Sequence, residues 1–295
     1  MKISIITTTY NIEDYIEDTI ESVLTQKGDF FIEYIVYDAF STDSTFEKIK
    51  KYKKLVDEGF YLGRNLGIDM QIYQEKDNGM YDGIAKGLKK ATGDIVAYIN
   101  GDDYYLPYAF SAINDAFTEN TNVNWIMGVN NLYNEKGQNI IMESYYQYYQ
   151  KFILNGWNGT LFSFIQQEST FWRRKLLDNF DFDSFTNFKL AGDFFLWHSF
   201  ARNGENLYLI NSVLSGFRIR RNQQSKDIKN YYEEMNLITN SYKNFNKKNK
   251  ICSIVPNILE YQQDKWLIKK YSFKEILYLF KKKKFRKVFK YLLFK

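Results

Sequence analysis

The chain begins with an apolar, β-branched run, Lys2 to Thr9, that ends at the polar pair Tyr10-Asn11. Such a run is typical of a strand buried on both faces of a parallel sheet. Further strands are predicted at 31–38, 70–74 and 94–99, and the segments between them carry apolar residues at helical spacing. This alternation predicts an α/β fold with a mostly parallel central sheet, flanking helices and right-handed crossovers.

The remainder of the chain divides into a mixed region and a helical one. Strands and helices continue less regularly after residue 105, and beyond Asp227 the sequence shows helical patterns only. The end of the chain is also basic, because residues 265–295 hold twelve Lys or Arg and one Glu. We therefore predict one α/β domain over 1–226 and a helical, basic C-terminal extension over 227–295.

The scarcity of cysteine and histidine limits the possible chemistry. Cys252 and His198 are the only residues of their types, which excludes an intrachain disulfide, a cysteine metal cluster and a histidine-pair metal site. A divalent metal would need carboxylate or amide oxygens, which favours Mg²⁺ or Mn²⁺. No run of about 18 apolar residues occurs, and the N-terminus turns polar too quickly for a signal peptide, so we expect a cytoplasmic protein.

Polar residues follow three of the predicted strands, at the ends where open α/β sheets bind ligands. Thr9-Tyr10-Asn11, Asp38 and the turn Asn100-Gly101-Asp102-Asp103 occupy these ends, so we expect them to meet in one crevice. The adjacent acids suit a hard cation that bridges a diphosphate, but acids are also common in ordinary turns. Asp38 could accept the N3–H of uracil or cap a helix. Asp193, an acid among apolar neighbours, suits a general base with a raised pKa and equally a helix cap.

Five segments of the first 226 residues carry motifs in a definite order. They are SIITTTYN with IEYIVYDAFSTDST (4–45), EKDNGMYDGIAKGLKKATGDIVAYINGDD (75–103), QQESTFWRRKLLDN (166–179), LAGDFFLW (190–197) and GFRIRRNQQS (216–225). Together they resemble family 2 glycosyltransferases of the GT-A fold, in a non-processive bacterial branch. The resemblance extends over about residues 1–226.

The resemblance assigns a role to each matching residue. Asp193 would be the catalytic base, and Asp102 would be the principal metal ligand, with Asn100 and Asp103 beside it. The residues implied to bind the nucleotide are Thr8, Tyr10, Asn11, Asp38, Asp77, Asp82, Lys86, Asn100, Gly101 and Asp102. Those implied near the donor sugar or acceptor are Gln167, Glu168 and Trp172, and those implied at the diphosphate are Arg218 and Gln223.

The implied function is inverting transfer of one sugar from a UDP-sugar, with Mn²⁺ or Mg²⁺, to a hydroxyl of a glycan or polyprenyl-linked acceptor. Such a reaction would serve cell-surface polysaccharide or glycoconjugate biosynthesis. Ala39-Phe40, Ala85 and Asn100 depart from the residues usual in the family, and Asn100 removes one charge from the metal site. The Gln-x-x-Arg-Trp signature of processive synthases is absent from the sequence, which favours transfer of single sugars.

Other functions are less well supported. A nucleotidyltransferase or a dinucleotide-dependent dehydrogenase would carry a glycine-rich loop after the first strand, where this chain has Tyr10-Asn11-Ile12-Glu13. A non-catalytic nucleotide- or glycan-binding module of the same fold remains an alternative, which Ala85 and Asn100 favour slightly. Nucleic-acid binding is not expected, because the basic charge is confined to the C-terminal tail.

The tail itself predicts two short amphipathic helices within 272–295, at 272–280 and 285–294. They would either contact an anionic membrane, at the inner face of the cytoplasmic membrane, or pack on the domain as a helical hairpin. The sequence leaves both possibilities open.

Overall fold

The computed structural model describes residues 1–143, 148–221, 223–243 and 257–269. The strands are β1 (Lys2–Thr9), β2 (Phe31–Asp38), β3 (Gly67–Gln74), β4 (Ile95–Asn100), β5 (Tyr104–Tyr105), β6 (Trp125–Met127), β7 (Asn130–Asn134), β8 (Asn139–Glu143), β9 (Thr170–Arg173), β10 (Tyr208–Ile210), β11 (Ser215–Ile219), β12 (Ile258–Gln262) and β13 (Lys265–Ile268). The helices are α1 (Ile16–Leu24), α2 (Thr45–Asp57), α3 (Met80–Lys90), α4 (Ala109–Glu119), α5 (Gln150–Leu154), α6 (Phe182–Phe185), α7 (Gly192–Arg202) and α8 (Ile228–Lys243).

Two sheets organise the described residues. The larger has nine strands in the order β13-β12-β10-β6-β9-β4-β1-β2-β3, and the smaller has four in the order β5-β11-β7-β8. Strands β1 to β4 are mutually parallel where they pair, and β9 runs antiparallel between β4 and β6. The predicted α/β fold, with a large central sheet and flanking helices, is confirmed.

The register of the parallel strands brings distant polar residues to one edge of the sheet. Thr9 at the end of β1 lies opposite Asp38 at the end of β2, and Thr8 lies opposite Asn100 at the end of β4. The apolar residues before them, such as Ile5 and Ile6, are fully buried and hold the strands in this register. The strand ends therefore form one edge.

A cluster of buried aromatic rings fixes α7 against the sheet. The ring of Trp197 stacks on Trp125, with centroids 5.6 Å apart, and meets Trp172 edge to face at 5.5 Å. Phe200 packs against all three tryptophans. Because α7 begins at Gly192, this packing determines where Asp193 lies.

The prediction of helices alone after Asp227 is correct for α8 and wrong for the segment that follows it. Strands β12 and β13 form an antiparallel hairpin, and β12 joins the large sheet beside β10. The turn residues Gln263 and Asp264 have φ of 50° and 60°, as a two-residue hairpin turn of this hand requires. Leu259 and Trp266 are buried, and Glu119 at the end of α4 accepts the backbone N–H of Trp266, so the hairpin is held on both strands. The domain boundary at residue 226 stays a prediction.

No helix within the described ranges is long and apolar enough to cross a bilayer. The two tail helices predicted within 272–295 lie outside the described residues.

Candidate active site

A cavity of about 1110 Å³ opens at the carboxyl ends of β1 and β4. Its wall comes from segments far apart in the chain, and it includes both Asp102 and Asp193. The predicted site residues that line it are Thr8, Tyr10, Asn11, Asp77, Asn100, Gly101, Asp102, Gln167, Glu168, Asp193 and Gln223. The six other predicted residues, Asp38, Asp82, Lys86, Asp103, Trp172 and Arg218, are not part of this wall.

The end of β4 and the turn after it carry two oxygen-bearing side chains in the cavity wall, those of Asn100 and Asp102. Asn100 donates from Nδ2 to Gln167 Oε1 at 3.4 Å, and its buried Oδ1 has no hydrogen-bond partner among the described residues. The Asp102 carboxylate points into the same space, where it forms an ion pair with Arg220. Gly101 fits between them because an added Cβ would lie 3.1 Å from Thr9 Cγ2, which leaves little room for a side chain.

Asn100 and Asp102 fit a hard divalent cation that takes few ligands from the protein, rather than one enclosed by protein side chains. The part of the chain that the structure describes contains no group of three or more His, Cys, Asp or Glu suited to hold a metal. Mg²⁺ and Mn²⁺ commonly take one or two protein oxygens and complete their shell with water and substrate phosphate. The unpartnered amide oxygen of Asn100 and the Asp102 carboxylate supply that minimum.

Asp103 does not line the cavity, so its support of the metal stays a prediction. Its side chain is fully buried, and its Oδ1 accepts a 2.8 Å hydrogen bond from the backbone N–H of Arg218. Burial and the neighbouring Asp102 raise the pKa of Asp103 well above its usual value. Asp103 therefore ties β11 to the turn after β4.

The side chain of Asp38 also lies outside the cavity wall, because neighbouring residues bind its carboxylate. Its carboxylate accepts hydrogen bonds from Thr9 Oγ1 at 3.1 Å, from the backbone N–H of Ser41 at 2.9 Å and from Gln74 Nε2 at 3.1 Å. The residue is fully buried, and its neighbour Ala39 lines the cavity instead. The prediction of direct contact with uracil is not met by this geometry, because the carboxylate is already occupied.

Asp82 and Lys86 brace the loop before α3 rather than line the cavity. Asp82 Oδ2 accepts the backbone N–H of Asn78 at 3.0 Å, and Lys86 Nζ donates to the backbone oxygen of Lys76 at 2.7 Å. The braced loop presents Lys76 and Asp77 to the cavity. Burial raises the pKa of Asp77. Lys76 was not predicted, because a lysine in a polar loop carries no signal of its own.

Trp172 lies in the aromatic core, so the prediction that it contacts a sugar is wrong. Its side chain is fully buried in β9, with its ring centroid 6.3 Å from that of Tyr98. The two predicted residues just before it, Gln167 and Glu168, do line the cavity.

The structure places Arg220 in the cavity wall and leaves the predicted Arg218 outside it. Arg218 is buried and donates from Nε to the backbone oxygen of Asp102 and from Nη2 to Asp18 Oδ2, both at 2.8 Å. Side chains alternate along β11, and Phe217 faces the cavity, so Arg218 must face away. Arg220 lies just beyond the end of β11 and lines the cavity. It was missed because strand alternation places positions 218 and 220 on the same side, so the sequence carried no signal that separates the two arginines.

Asp193 sits in the first turn of α7 and is held by two elements. Its Oδ1 accepts the backbone N–H of Phe194 at 2.7 Å and the hydroxyl of Tyr231, on α8, at 3.0 Å. Glu234 of α8 accepts the backbone N–H groups of residues 189–191 and so fixes the start of α7. Burial raises the pKa of Asp193 to about 6. A carboxylate with this pKa is ionised at neutral pH and suited to accept a proton.

Glu168 is a second unusual acid in the cavity wall. It is almost fully buried, and within the described ranges its Oε1 has no hydrogen-bond partner. Burial raises the pKa of Glu168 to about 8, and the charges of Asp102 and Asp193 act in the same direction. This shift favours the protonated form of Glu168, which can donate a hydrogen bond to a bound hydroxyl.

Comparison with known proteins places this arrangement in a family. The sequence profile described as Glycosyl transferase family 2 matches residues 4–180. Over 101 residues, 34% of this chain, it is 37% identical to a Bacillus subtilis (strain 168) protein named for teichuronic acid biosynthesis, the glycosyltransferase TuaG. Over 109 residues, 35% of the chain, it is 31% identical to poly(ribitol-phosphate) beta-N-acetylglucosaminyltransferase TarS of Staphylococcus aureus (strain MW2). The matched segments make up only 36% of TuaG and 17% of TarS.

Solved structures share the fold. TarS 1-349 of S. aureus, in complex with UDP-GlcNAc, superposes with a TM-score of 0.56 at 19% identity, over 81% of this chain and 65% of that one. Glucosyl-3-phosphoglycerate synthase from Mycobacterium tuberculosis, in complex with Mg²⁺ and UDP, gives 0.51 at 14% identity, over 92% and 87%. At these identities the likeness shows the GT-A fold alone. Because the family profile covers more than half of its length, this chain belongs to glycosyl transferase family 2.

Proposed function

We propose that this protein is an inverting glycosyltransferase that moves one sugar from a UDP-sugar to an acceptor hydroxyl, with Mg²⁺ or Mn²⁺ as cofactor. The observation that carries the proposal is the shared cavity. It joins the paired oxygens of Asn100 and Asp102 to the acid Glu168 and to the ionised carboxylate of Asp193. Asn100 and Asp102 are suited to a metal-bound diphosphate, and Asp193 is suited to a reacting alcohol.

Asp193 is proposed to take the proton of the acceptor hydroxyl. As the proton moves to Asp193, the acceptor oxygen forms a bond to C1 of the donor sugar, and the bond from C1 to the diphosphate oxygen breaks. Attack from the face opposite the leaving UDP inverts the configuration at C1. When bound, a divalent cation held by Asn100 Oδ1 and Asp102 would offset the charge that develops on the leaving diphosphate.

The proposal that the donor carries uridine is supported by similar proteins and by the residues that line the site. TarS and glucosyl-3-phosphoglycerate synthase have been crystallised with uridine nucleotides. In this chain the residues available to a base and ribose are Thr8 to Asn11 and Ala39, at the ends of β1 and β2. Glu168, in its protonated form, is proposed to donate a hydrogen bond to a sugar hydroxyl or an N-acetyl oxygen. The donor sugar is accordingly proposed to be a hexose or an N-acetylhexosamine.

We expect UDP-sugars to raise the melting temperature of the full chain only when Mn²⁺ or Mg²⁺ is present. A ligand that binds only the native state stabilises it by about 2.7 kcal/mol at a hundred times its dissociation constant. A thermal-shift screen of UDP- and GDP-sugars, with Asp102→Asn as the control that lacks the metal-dependent part, measures this. A preference for GDP-sugars would contradict the proposed donor. A shift without any release of UDP would favour the non-catalytic module.

The acceptor is proposed to be a glycan or a polyprenyl-linked glycan used in cell-surface polysaccharide biosynthesis at the inner face of the cytoplasmic membrane. An apolar wall supports an acceptor with a lipid portion. Phe217, Leu132 and Ile141 are cross-strand neighbours on β11, β7 and β8, and all three line the cavity. Ile141 remains 42% exposed at the edge of this row. Basic residues in the tail would attract anionic lipid.

We expect the full chain to co-sediment with vesicles that contain anionic lipid and to remain in solution with neutral vesicles. A variant that ends at Lys269 keeps the β12–β13 hairpin and removes the basic tail, so it is the matched control. Equal sedimentation of the two proteins would dismiss the tail as the membrane contact.

A further inference from the structure

Arg220 holds its positive charge beside Asp102, the carboxylate that is proposed to bind the metal. Its guanidinium forms an ion pair with Asp102 Oδ2, and its centre lies 5.2 Å from the ring centroid of Tyr15. The Nε of Arg220 is buried and lacks a hydrogen-bond partner among the residues that the structure describes. One donor of this guanidinium is therefore unused while the side chain stays on Asp102.

The surroundings explain why a cation is needed there. The Asp102 side chain is only 8% exposed, and the acids Asp103 and Glu168 lie close enough for its charge to raise the pKa of each. A carboxylate in such a position is costly without a partner of opposite charge. Arg218 cannot serve, because its guanidinium already donates to the Asp102 backbone and to Asp18. Arg220 supplies the charge.

The side chain of Arg220 is partly exposed, and its backbone is held. Its backbone N–H donates to Gln223 Oε1 at 3.3 Å, and Gln223 Nε2 donates to the backbone oxygen of Arg218 at 3.0 Å. The side chain is 24% exposed and lies in the cavity wall, where a diphosphate could reach it. A rotation of the side chain alone would thus transfer the guanidinium from Asp102 to a nearby anion.

We propose that Arg220 occupies Asp102 in the nucleotide-free protein and gives it up only when a divalent cation and a nucleoside diphosphate bind together. The inference rests on the proposed function. A cation arriving alone would have to separate an ion pair and would leave the guanidinium beside a dication. With the diphosphate present, the guanidinium gains a new anionic partner, in the paired geometry that arginine forms with phosphate.

Because Arg220 moves from Asp102 to the diphosphate, the affinity for the cation and the affinity for the diphosphate depend on each other. If the diphosphate raises the affinity for the cation by a given factor, the cation must raise the affinity for the diphosphate by the same factor. Arg220 is thus a positioning residue that keeps the metal site closed to free cations until the donor nucleotide is present.

The test measures Mn²⁺ binding to the full chain by the electron paramagnetic resonance signal of free Mn²⁺, with and without UDP. We expect the wild-type protein to bind Mn²⁺ weakly alone and much more tightly with UDP. R220Q should bind Mn²⁺ about tenfold more tightly than wild type in the absence of UDP, as loss of a competing partner worth about 1.4 kcal/mol predicts. The increase in Mn²⁺ affinity on adding UDP should fall by a similar factor or more.

Two further variants serve as controls. R220K retains a cation that can reach Asp102 and should stay nearer to wild type than R220Q does. R221Q removes the next arginine along the chain, which is exposed and donates from its backbone to Glu135, and should behave as wild type. If R220Q leaves the nucleotide-free Mn²⁺ affinity unchanged while wild type binds Mn²⁺ with UDP, the exchange is refuted and the proposed function stands. If wild type fails to bind Mn²⁺ even with UDP, the metal-dependent function is refuted together with it.

Discussion

The variant Asp193→Asn should transfer sugar about 10²- to 10⁴-fold more slowly than wild type, with unchanged affinity for UDP. Asparagine keeps the Oδ1 acceptor that Phe194 and Tyr231 use, so the start of α7 should not move. It cannot accept the proton of the acceptor hydroxyl. Steady-state transfer assays and calorimetric UDP titration together measure the two halves of this expectation.

The same variant should also change the dependence of the rate on pH. Because the pKa of Asp193 is about 6, kcat/KM of the wild type should fall as the pH drops below that value and the carboxylate takes up a proton. Asp193→Asn should lose this acid limb. Asp178→Asn, at an exposed position, is the matched control and should retain both rate and limb. Turnover at the wild-type rate in Asp193→Asn would remove this residue from the mechanism.

The stability of Asp193→Asn distinguishes a loss of catalysis from a loss of rate that is caused by unfolding. The folded-state pKa of about 6 lies above the unfolded value of about 3.9, so the native state binds this proton more tightly. The contribution of Asp193 to stability therefore decreases as the pH rises from about 4 to about 6, and the ionised carboxylate is a cost above that window. Asp193→Asn removes this cost, so it should melt no lower than wild type at pH 8.

The variant Trp172→Ala should lower the free energy of unfolding by about 3–5 kcal/mol, the usual cost of removing a large buried ring. The ring is fully buried and touches Trp197 and Phe200, which hold α7 on the sheet. Urea or thermal unfolding measures the loss. Any decline in activity should follow from displacement of Asp193 rather than from a missing sugar contact.

Two companion variants keep this prediction testable if Trp172→Ala does not fold. Trp172→Phe leaves a smaller cavity and should lose much less stability. Phe164→Ala truncates a ring that is 38% exposed in the cavity wall and should cost little stability. A stable Trp172→Ala with a raised KM for the donor would restore the original prediction that Trp172 contacts the sugar.

The sequence was sufficient for the order of the strands and helices in the first 100 residues. Apolar periodicity is a local property, so the apolar run of β1 was enough to predict a buried parallel strand. The same pattern predicted that polar residues after β1 and β4 would meet, because parallel strands end at one edge of their sheet. It also singled out Asp193, since an acid in an apolar run is unusual wherever the run lies.

Tertiary structure decided which of these side chains face the cavity. Arg218 and Arg220 carry the same charge two residues apart, and only the contacts of Arg218 with the Asp102 backbone and with Asp18 hold it away from the cavity. The sequence of β12 and β13 predicted helix. It forms two strands because β10, at the edge of the large sheet, offers backbone hydrogen-bond partners to β12. Local sequence thus determined the elements and the chemical groups at their ends. Orientation depended on packing between residues that are distant in the sequence, such as Arg218 and Asp18, and no local pattern contains the energies of such contacts.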